Sequence, residues 1–326
     1  MKIGIKPYRL KLKHPFRIAK GSRTHTDVVY VRLSKGEFSS VGEASLPPYL
    51  EDSTESVIDF LEGLDSSQLT LENFQKARRY IQSFKHGNTA AKAAIEMALV
   101  SLCAQSKGVT LSEYLDVDER PILTSYTFGI STRDELATKL DEAKDFKSFK
   151  LKLGSSDDLQ ILKNFSELCD KPFSVDVNQG WNDFGYAKEI AHQLQEMGCL
   201  FIEQPFDAQN VELHLRLKEE NLVPVFADES IQGLKDFEGR SEAFDGVVVK
   251  LMKTAGPFEA IDLMKKARAA GLKTVMGCMA ESSVAIRMAR AIAPLADYAD
   301  LDGAFLIDDD PYKLVAYREG EVLLDA

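Results

Sequence analysis

The chain has 326 residues, 44% hydrophobic and 28% charged, the balance of an ordinary globular protein with room for one large core or two unequal domains. Its formal net charge of −11 argues against nucleic acid and anionic membrane as general partners, while leaving room for a local basic pocket. No 18-residue apolar run is present, so no membrane span is expected, and MKIGIKPYRLKLKHPFRIAKG lacks the continuous apolar stretch of a signal peptide.

The first 45 residues alternate with period two. KIGIKPYRLKLK, TDVVYVRLS and SSVGEAS predict an antiparallel meander with KGEF as a turn. STESVIDFLEGL, LTLENFQKARRYIQSF and NTAAKAAIEMALVSLCAQSKG then predict three helices, the first capped by Ser53 or Thr54 and the last stopped by Gly108. Strands followed by a run of helices predict a separate α+β domain over residues 1–117. The texture changes after Pro121. Eight short runs, ILTSYTFGI, SFKLKLG, PFSVDVNQ, CLFIEQP, VPVFADES, GVVVKL, KTVMGCM and YADLDG, alternate with amphipathic segments of helical length. That is the pattern of a parallel sheet, most economically a (β/α)8-type barrel, over residues 118–309. The tail, residues 310–326, has turn and strand character and is expected to pack back on the first domain.

Cys103, Cys169, Cys199 and Cys278 form no C-x-x-C pair, which suits the reduced thiols of a cytoplasmic protein better than a disulfide frame or a zinc knuckle. The five histidines are scattered without an H-E-x-x-H, which disfavours a zinc protease.

Charged residues stand at the ends of the strand candidates. Lys152 ends the second, Asp176 the third, Glu203 the fourth, Asp228 the fifth, Lys250 the sixth, and Asp300 and Asp302 the eighth. From Lys152 to Lys250 the gaps are 24, 27, 25 and 22 residues, one βα unit each. Barrel active sites lie at the carboxyl-terminal rim, where such side chains converge. Any one acid here would pass as a helix cap, and ADES fits that role. Their joint register does not. Three converging carboxylates repel one another without a cation, and hard oxygen donors suit Mg²⁺, which would hold a substrate carboxylate as the neighbouring carbon loses a proton to give an enediolate. Lys152 and Lys250 lie on opposite sides of this arc; with their pKa lowered by a nearby cation and partial burial each would act as acid or base, and bases on both faces suit a racemisation or epimerisation. Lys150 shares the strand face of Lys152, and one ammonium is expected to discourage protonation of the other. Lys253 lies beyond the strand and reads as a surface lysine.

K-x-K, DVNQGW, IEQP, ADES and VVKLMKTAG together resemble the enolase superfamily, muconate-lactonizing-enzyme subgroup, across essentially the whole chain. The resemblance implies an α/β fold, a modified TIM barrel (β/α)7β with an N-terminal α+β capping domain that includes GEASLPPY. It makes Lys152 and Lys250 the acid/base pair, Lys150 auxiliary, and Asp176, Glu203 and Asp228 the ligands of one Mg²⁺ per subunit. YADLDG resembles the eighth-strand D-x-D of dipeptide epimerases, which implies that Asp300 and Asp302 hold the substrate's α-ammonium. PFRIAKGSRTHTD resembles the capping loop of L-Ala-D/L-Glu epimerases, which gives Arg23 the glutamate side chain as a partner. Cys278 and Met279 are expected to line the pocket.

The implied function is epimerisation of a dipeptide at its carboxy-terminal residue, Ala-Glu from cell-wall peptide recycling foremost. N-acylamino acid racemase and o-succinylbenzoate synthase are the nearest alternatives, and a Schiff-base aldolase built on Lys250 is the rival from another class. The only partner implied is a small dipeptide, and homo-oligomerisation is left open. Two departures from the family pattern are Ala255, where K-T-G-G is usual, and Ser101 in ALVSL.

Overall fold

The computed structural model describes residues 1–48 and 50–324; Tyr49 of the GEASLPPY segment lies outside them. Strands β1 (Lys2–Ile18), β2 (Gly21–Lys35) and β3 (Phe38–Leu46) form the antiparallel meander in that order. β1 and β2 run further than the alternation suggests. They resume pairing after an irregularity between Lys11 and Phe16, from Phe16 opposite Arg23 to Ile18 opposite Gly21. The segment expected as a capping loop is therefore a hairpin arm. It lies against the barrel: Ile130 N–H donates to the Arg17 carbonyl at 2.9 Å, and Arg17 Nη1 pairs with Glu135 at 2.9 Å. At its tip, a Cβ placed on Gly154 would come 2.9 Å from that of Ala19, so the arm comes down on a glycine two residues past Lys152.

Behind the meander lie α1 (Thr54–Glu62), α2 (Phe74–Ser83), α3 (Thr89–Lys107) and the short α4 (Leu111–Tyr114). Ser53 caps α1 in a reciprocal box with Ser56, and Gly108, at φ +67°, ends α3. α3 is rich in alanine and buried on nearly every side from Ala90 to Ala104. Its small side chains admit the sheet so closely that a Cβ at Gly42 would stand 1.9 Å from the Ala94 carbonyl oxygen.

The barrel strands are β4 (Ser125–Phe128), β5 (Ser148–Lys152), β6 (Phe173–Asp176), β7 (Ile202–Glu203), β8 (Val225–Ala227), β9 (Gly246–Val249), β10 (Lys273–Gly277) and β11 (Tyr298–Asp300). They hydrogen-bond in parallel in sequence order. Between them run α5 (Arg133–Glu142), α6 (Asp158–Leu168), α7 (Phe184–Glu196), α8 (Val211–Glu219), α9 (Leu234–Phe237), α10 (Pro257–Ala269) and α11 (Ser283–Ile292). The stacked rings of Phe201 and Phe226, 4.4 Å apart, pack with Val248 and Val275 inside the barrel. β4 and β11 meet at a seam closed by side chains instead of a ladder. Ser125 Oγ donates to Asp300 at 2.7 Å, Thr127 N to Asp302 at 2.6 Å, and Leu301 N to Thr124 Oγ1 at 2.6 Å.

Two buried carboxylates of the cap reach the amino ends of barrel helices, where unpaired N–H groups favour an anion. Glu43 on β3 accepts from Ser282 N at 2.9 Å, Ser282 Oγ at 2.5 Å and Ala285 N at 3.3 Å, at the start of α11. Glu96 on α3 accepts from Phe258 N at 3.4 Å at the start of α10, and from Gln82 Nε2 at 2.7 Å. The tail divides its contacts. Tyr312 packs on Tyr30 of the cap, whereas the hairpin of β12 (Val315–Arg318) and β13 (Glu321–Leu324) lies against the barrel through Ile122, Thr124 and Arg290. No helix among the described residues is long and apolar enough to cross a membrane.

Burial pushes the Glu43 carboxyl up to about 7, against the opposing pull of its Ser282 and Ala285 donors. A carboxyl raised in the folded state binds more protons there than when unfolded, so its contribution to stability falls as pH rises from about 4.5 to about 7. Denaturant unfolding at pH 5 and pH 8 should show a smaller pH-dependent loss in Glu43→Gln, by about 3 kcal/mol at 1.36 kcal/mol per pH unit. Equal losses in the two proteins would refute this origin.

Candidate active site

Sheet register explains why the charged residues meet. Lys152 is level with Asp176, and Asp176 with Glu203, so neighbouring strands deliver side chains to one rim. Lys150 Nζ lies 2.6 Å from Glu203 Oε2, 2.7 Å from Asp300 Oδ2 and 3.4 Å from Asp176 Oδ2. Lys152 Nζ donates to Asp176 Oδ2 at 2.5 Å and to Asn178 Oδ1 at 3.0 Å. Across the arc, Lys250 Nζ donates to Asp228 Oδ2 at 2.6 Å and lies 3.9 Å from Glu203 Oε1. The two predicted acid/base lysines thus sit at opposite ends of the carboxylate row.

Charge compensation sets the protonation. Burial alone would raise the Asp176 carboxyl, but Lys152, Lys150 and Lys250 hold it well below the usual carboxylate range. Burial likewise opposes Asp228, and Lys250 and Lys253 overcome it. Glu203 goes the other way: burial, then the charge of Asp176, pushes it well above its ordinary value in spite of Lys150. Burial would lower Lys150, yet Asp300, Glu203 and Asp176 hold its ammonium well above the usual lysine value.

Asp176, Glu203 and Asp228 each offer an oxygen within 4.8 Å of the others. Although Lys150 approaches Glu203, neither buried Glu203 oxygen accepts a hydrogen bond from the described residues. Buried carboxylate oxygens left in that state call for a cation. A hard divalent ion with an all-oxygen preference, such as Mg²⁺, fits this set.

The ligands are braced from behind. Gln204 Oε1 accepts from Asp228 N at 2.9 Å and Ser230 N at 3.0 Å, while its amide donates to Ser230 Oγ at 2.7 Å. Asn178, at φ +47°, donates its N–H to Asp176 Oδ1 at 2.9 Å. Trp181 donates Nε1 to Asp158 at 2.8 Å, and Asp158 also accepts from Gly154 N and Ser155 N. The loops after Lys152 and Asp176 are joined in this way.

A cavity of about 50 Å³ is lined by Arg23, Lys150, Lys152, Lys250, Cys278, Met279, Asp300 and Asp302, so the substrate-contact candidates do come together. It adjoins a cavity of about 620 Å³ through shared walls at Phe16, Ile18, Arg23 and Asn178. Arg23 reaches this space from the hairpin arm, its guanidinium 5.9 Å from the Phe16 ring. Burial, then the Asp300 charge, pushes Asp302 up to about 7, whereas Lys150 outweighs burial at Asp300 and lowers it. Burial, then Glu281 and Asp302, pushes the Cys278 thiol far up, which keeps it protonated.

Lys253 corrects the sequence reading. It is only 4% exposed, and its ammonium meets Asp228 Oδ1 at 2.5 Å and three backbone carbonyls. Its position three residues past Lys250 was the available signal, because a single helical turn there returns it to the rim. Ser125 and Thr127, the seam partners of Asp300 and Asp302, were also missed, since nothing in SYTF marks them.

The model of the mandelate racemase / muconate lactonizing enzyme N-terminal domain matches residues 2–115, and that of the enolase C-terminal domain-like family matches residues 132–323. The chain belongs to this family of the enolase superfamily. Among its family relatives, the L-Ala-D/L-Glu epimerase of Bacteroides thetaiotaomicron is 37% identical, with 100% of this chain and 86% of that protein covered. A solved enolase family member from Agrobacterium tumefaciens, with homology to dipeptide epimerases and with L-Ala-L-Glu bound, is 29% identical at a TM-score of 0.90 over 99% of this chain and 98% of the other. A Methylococcus capsulatus dipeptide epimerase, solved with Mg and L-Arg-D-Lys, is 27% identical at a TM-score of 0.88, over 99% and 96%.

Mg²⁺ should raise the melting temperature relative to EDTA, since a ligand at 100 times its Kd stabilises by about 2.7 kcal/mol. In Glu203→Gln that increment should be largely lost in the same thermal-shift assay. A variant that kept the full increment would remove Glu203 from the metal site.

Proposed function

We propose that this protein is a Mg²⁺-dependent dipeptide epimerase that moves a proton from one face of the carboxy-terminal residue's α-carbon to the other, with L-Ala-D/L-Glu as its substrate. The observation that carries the reading is the pairing of Lys152 with Asp176 and of Lys250 with Asp228, at the two ends of one carboxylate row. When bound to Asp176, Glu203 and Asp228, the single Mg²⁺ of each subunit supplies the positive charge that makes an adjacent carboxylate an electron sink. The lysines do the proton work. One, uncharged, takes the α-proton and becomes an ammonium; the other, charged, returns a proton to the opposite face and is left neutral. The electron pair spends the interval delocalised into the carboxylate. Atoms and charge balance over the cycle, and the lysines exchange protons with water before the next turnover. Lys150 stays charged among Glu203, Asp300 and Asp176, as an electrostatic support.

Two carboxylates on the pocket wall favour a substrate with a free amino group over an N-acylated one. Burial of the pair is costly, and an ammonium offsets it: Asp302, pushed up to about 7 by burial and Asp300, would gain a cation beside it. Arg23, with Lys20 on the same arm, gives the larger cavity positive charge for a glutamate side chain. Cys278 and Met279 complete the wall. The named activity of the Bacteroides relative supports the choice of dipeptide. We place the reaction in cytoplasmic recycling of cell-wall peptides, in keeping with four cysteines that are all free thiols.

Incubation with L-Ala-L-Glu in D₂O should place deuterium at the carboxy-terminal α-carbon only when Mg²⁺ is present. Lys152→Ala and Lys250→Ala should each lower turnover by about 10²–10⁴-fold, the usual worth of a general acid or base. Absence of exchange across a dipeptide panel would reject the reaction. Asp302→Asn should reduce kcat/KM for dipeptides much more than for N-acylamino acids, and an equal reduction would favour the racemase alternative.

A further inference from the structure

We propose that Lys253 is a positioning residue of the metal site, which fixes one oxygen of Asp228 so that the other serves the cation in place of Lys250. The inference rests on the assignment of Asp176, Glu203 and Asp228 as a Mg²⁺ site.

Lys253 follows β9 in the turn that begins at Lys250, with its N–H bonded to the Lys250 carbonyl at 3.0 Å. That turn folds its side chain back beneath the rim. The ammonium meets Asp228 Oδ1 at 2.5 Å, the Asp228 carbonyl at 2.7 Å, the Val248 carbonyl at 2.8 Å and the Ile231 carbonyl at 3.2 Å. An ammonium has three protons to donate, so four acceptors leave none for a substrate. This lysine is therefore built to hold and not to react.

What it holds is specific. Asp228 presents Oδ1 to Lys253 and Oδ2 to Lys250, while Gln204 Oε1 anchors the Asp228 backbone N–H at 2.9 Å. The two lysines divide the carboxylate between them. For Lys250 to act on a substrate, Oδ2 must exchange that ammonium for the metal. With Lys253 on Oδ1, Asp228 keeps a compensating charge and its orientation through the exchange. Without it, a buried carboxylate would have Lys250 as its remaining lysine and both oxygens free to turn, and the base would be trapped in the ion pair. Partners that orient a metal ligand in this way are typically worth 10–100-fold in metal affinity.

A purely structural role would rest on the same bonds, by which Lys253 ties the loop after β8 to β9. Gln82 separates the two. Its amide holds the same loop through the Ala255 carbonyl at 2.9 Å and touches no carboxylate of the metal set. Gln82→Leu therefore loosens the loop and leaves the pairing of Asp228 intact.

Calorimetric titration of the full chain with Mg²⁺ alone tests this, on wild type, Lys253→Met, Lys253→Gln and Gln82→Leu, each below its own melting temperature. The Lys253 variants should bind Mg²⁺ 10–100-fold more weakly, and Gln82→Leu within a few-fold of wild type. Two different replacements, one keeping the apolar stem and one a polar end, guard against a variant that does not fold. Wild-type affinity in a folded Lys253 variant, or an equal loss in Gln82→Leu, would overturn the positioning role. Failure of wild type to bind Mg²⁺ at all would instead overturn the metal assignment, and the inference with it.

Discussion

The barrel mouth is governed by charge compensation in a place that water barely reaches. Four lysine ammonium groups, those of Lys150, Lys152, Lys250 and Lys253, are threaded among the carboxylates of Asp176, Glu203, Asp228 and Asp300. Neither set would be tolerable alone, since an unpaired buried charge costs several kcal/mol even after relaxation. Interleaved, they form an array whose members are oriented by one another. The arrangement places the two proposed acid/base lysines at the ends of the row and keeps Lys150 and Lys253 in the interior, where they stay charged or bonded. Chemistry at the edge of the array is thus supported from its middle.

The array depends on the cap as well as on the barrel. Glu43 and Glu96 hold the amino ends of α11 and α10, the helices that follow β10 and β9, just past whose ends stand Cys278 and Lys250. Gln82 adds a bond to the loop between Lys250 and α10. The hairpin arm then crosses to the opposite side of the mouth, where Arg17 is bonded to the loop after β4 and Ala19 rests over Gly154. The cavity walls and the charged row thus come from different parts of the chain, joined by a few buried bonds.

Much of this was legible because a buried parallel strand is ordinarily apolar, so a charged residue at its end, repeated once per βα unit, stands out against the pattern. Lys152, Asp176, Glu203, Asp228 and Lys250 were found that way, and the meander and three helices of the cap by periodicity and caps. Lys253 was not, because an offset of three from a strand end reads as loop until the turn that returns it is seen. The hairpin arm was hidden by Pro15, which breaks the alternation of β1 without ending the strand. Ala255 shows the reverse case. Its departure from the usual glycine was plain in the sequence, but only its φ of +55° shows that the site demands a left-handed conformation, which an alanine adopts at a cost of about 1–2 kcal/mol.

The seam between β4 and β11 gives Asp300 and Asp302 a second employment. The carboxylates that face the pocket also join the first barrel strand to the last, through Ser125 and Thr127. Closure of the barrel therefore depends on them whatever group the pocket receives. An aspartate pair at this position thus answers to architecture as well as to substrate, and the substrate must be read from residues that carry no such duty, such as those on the hairpin arm.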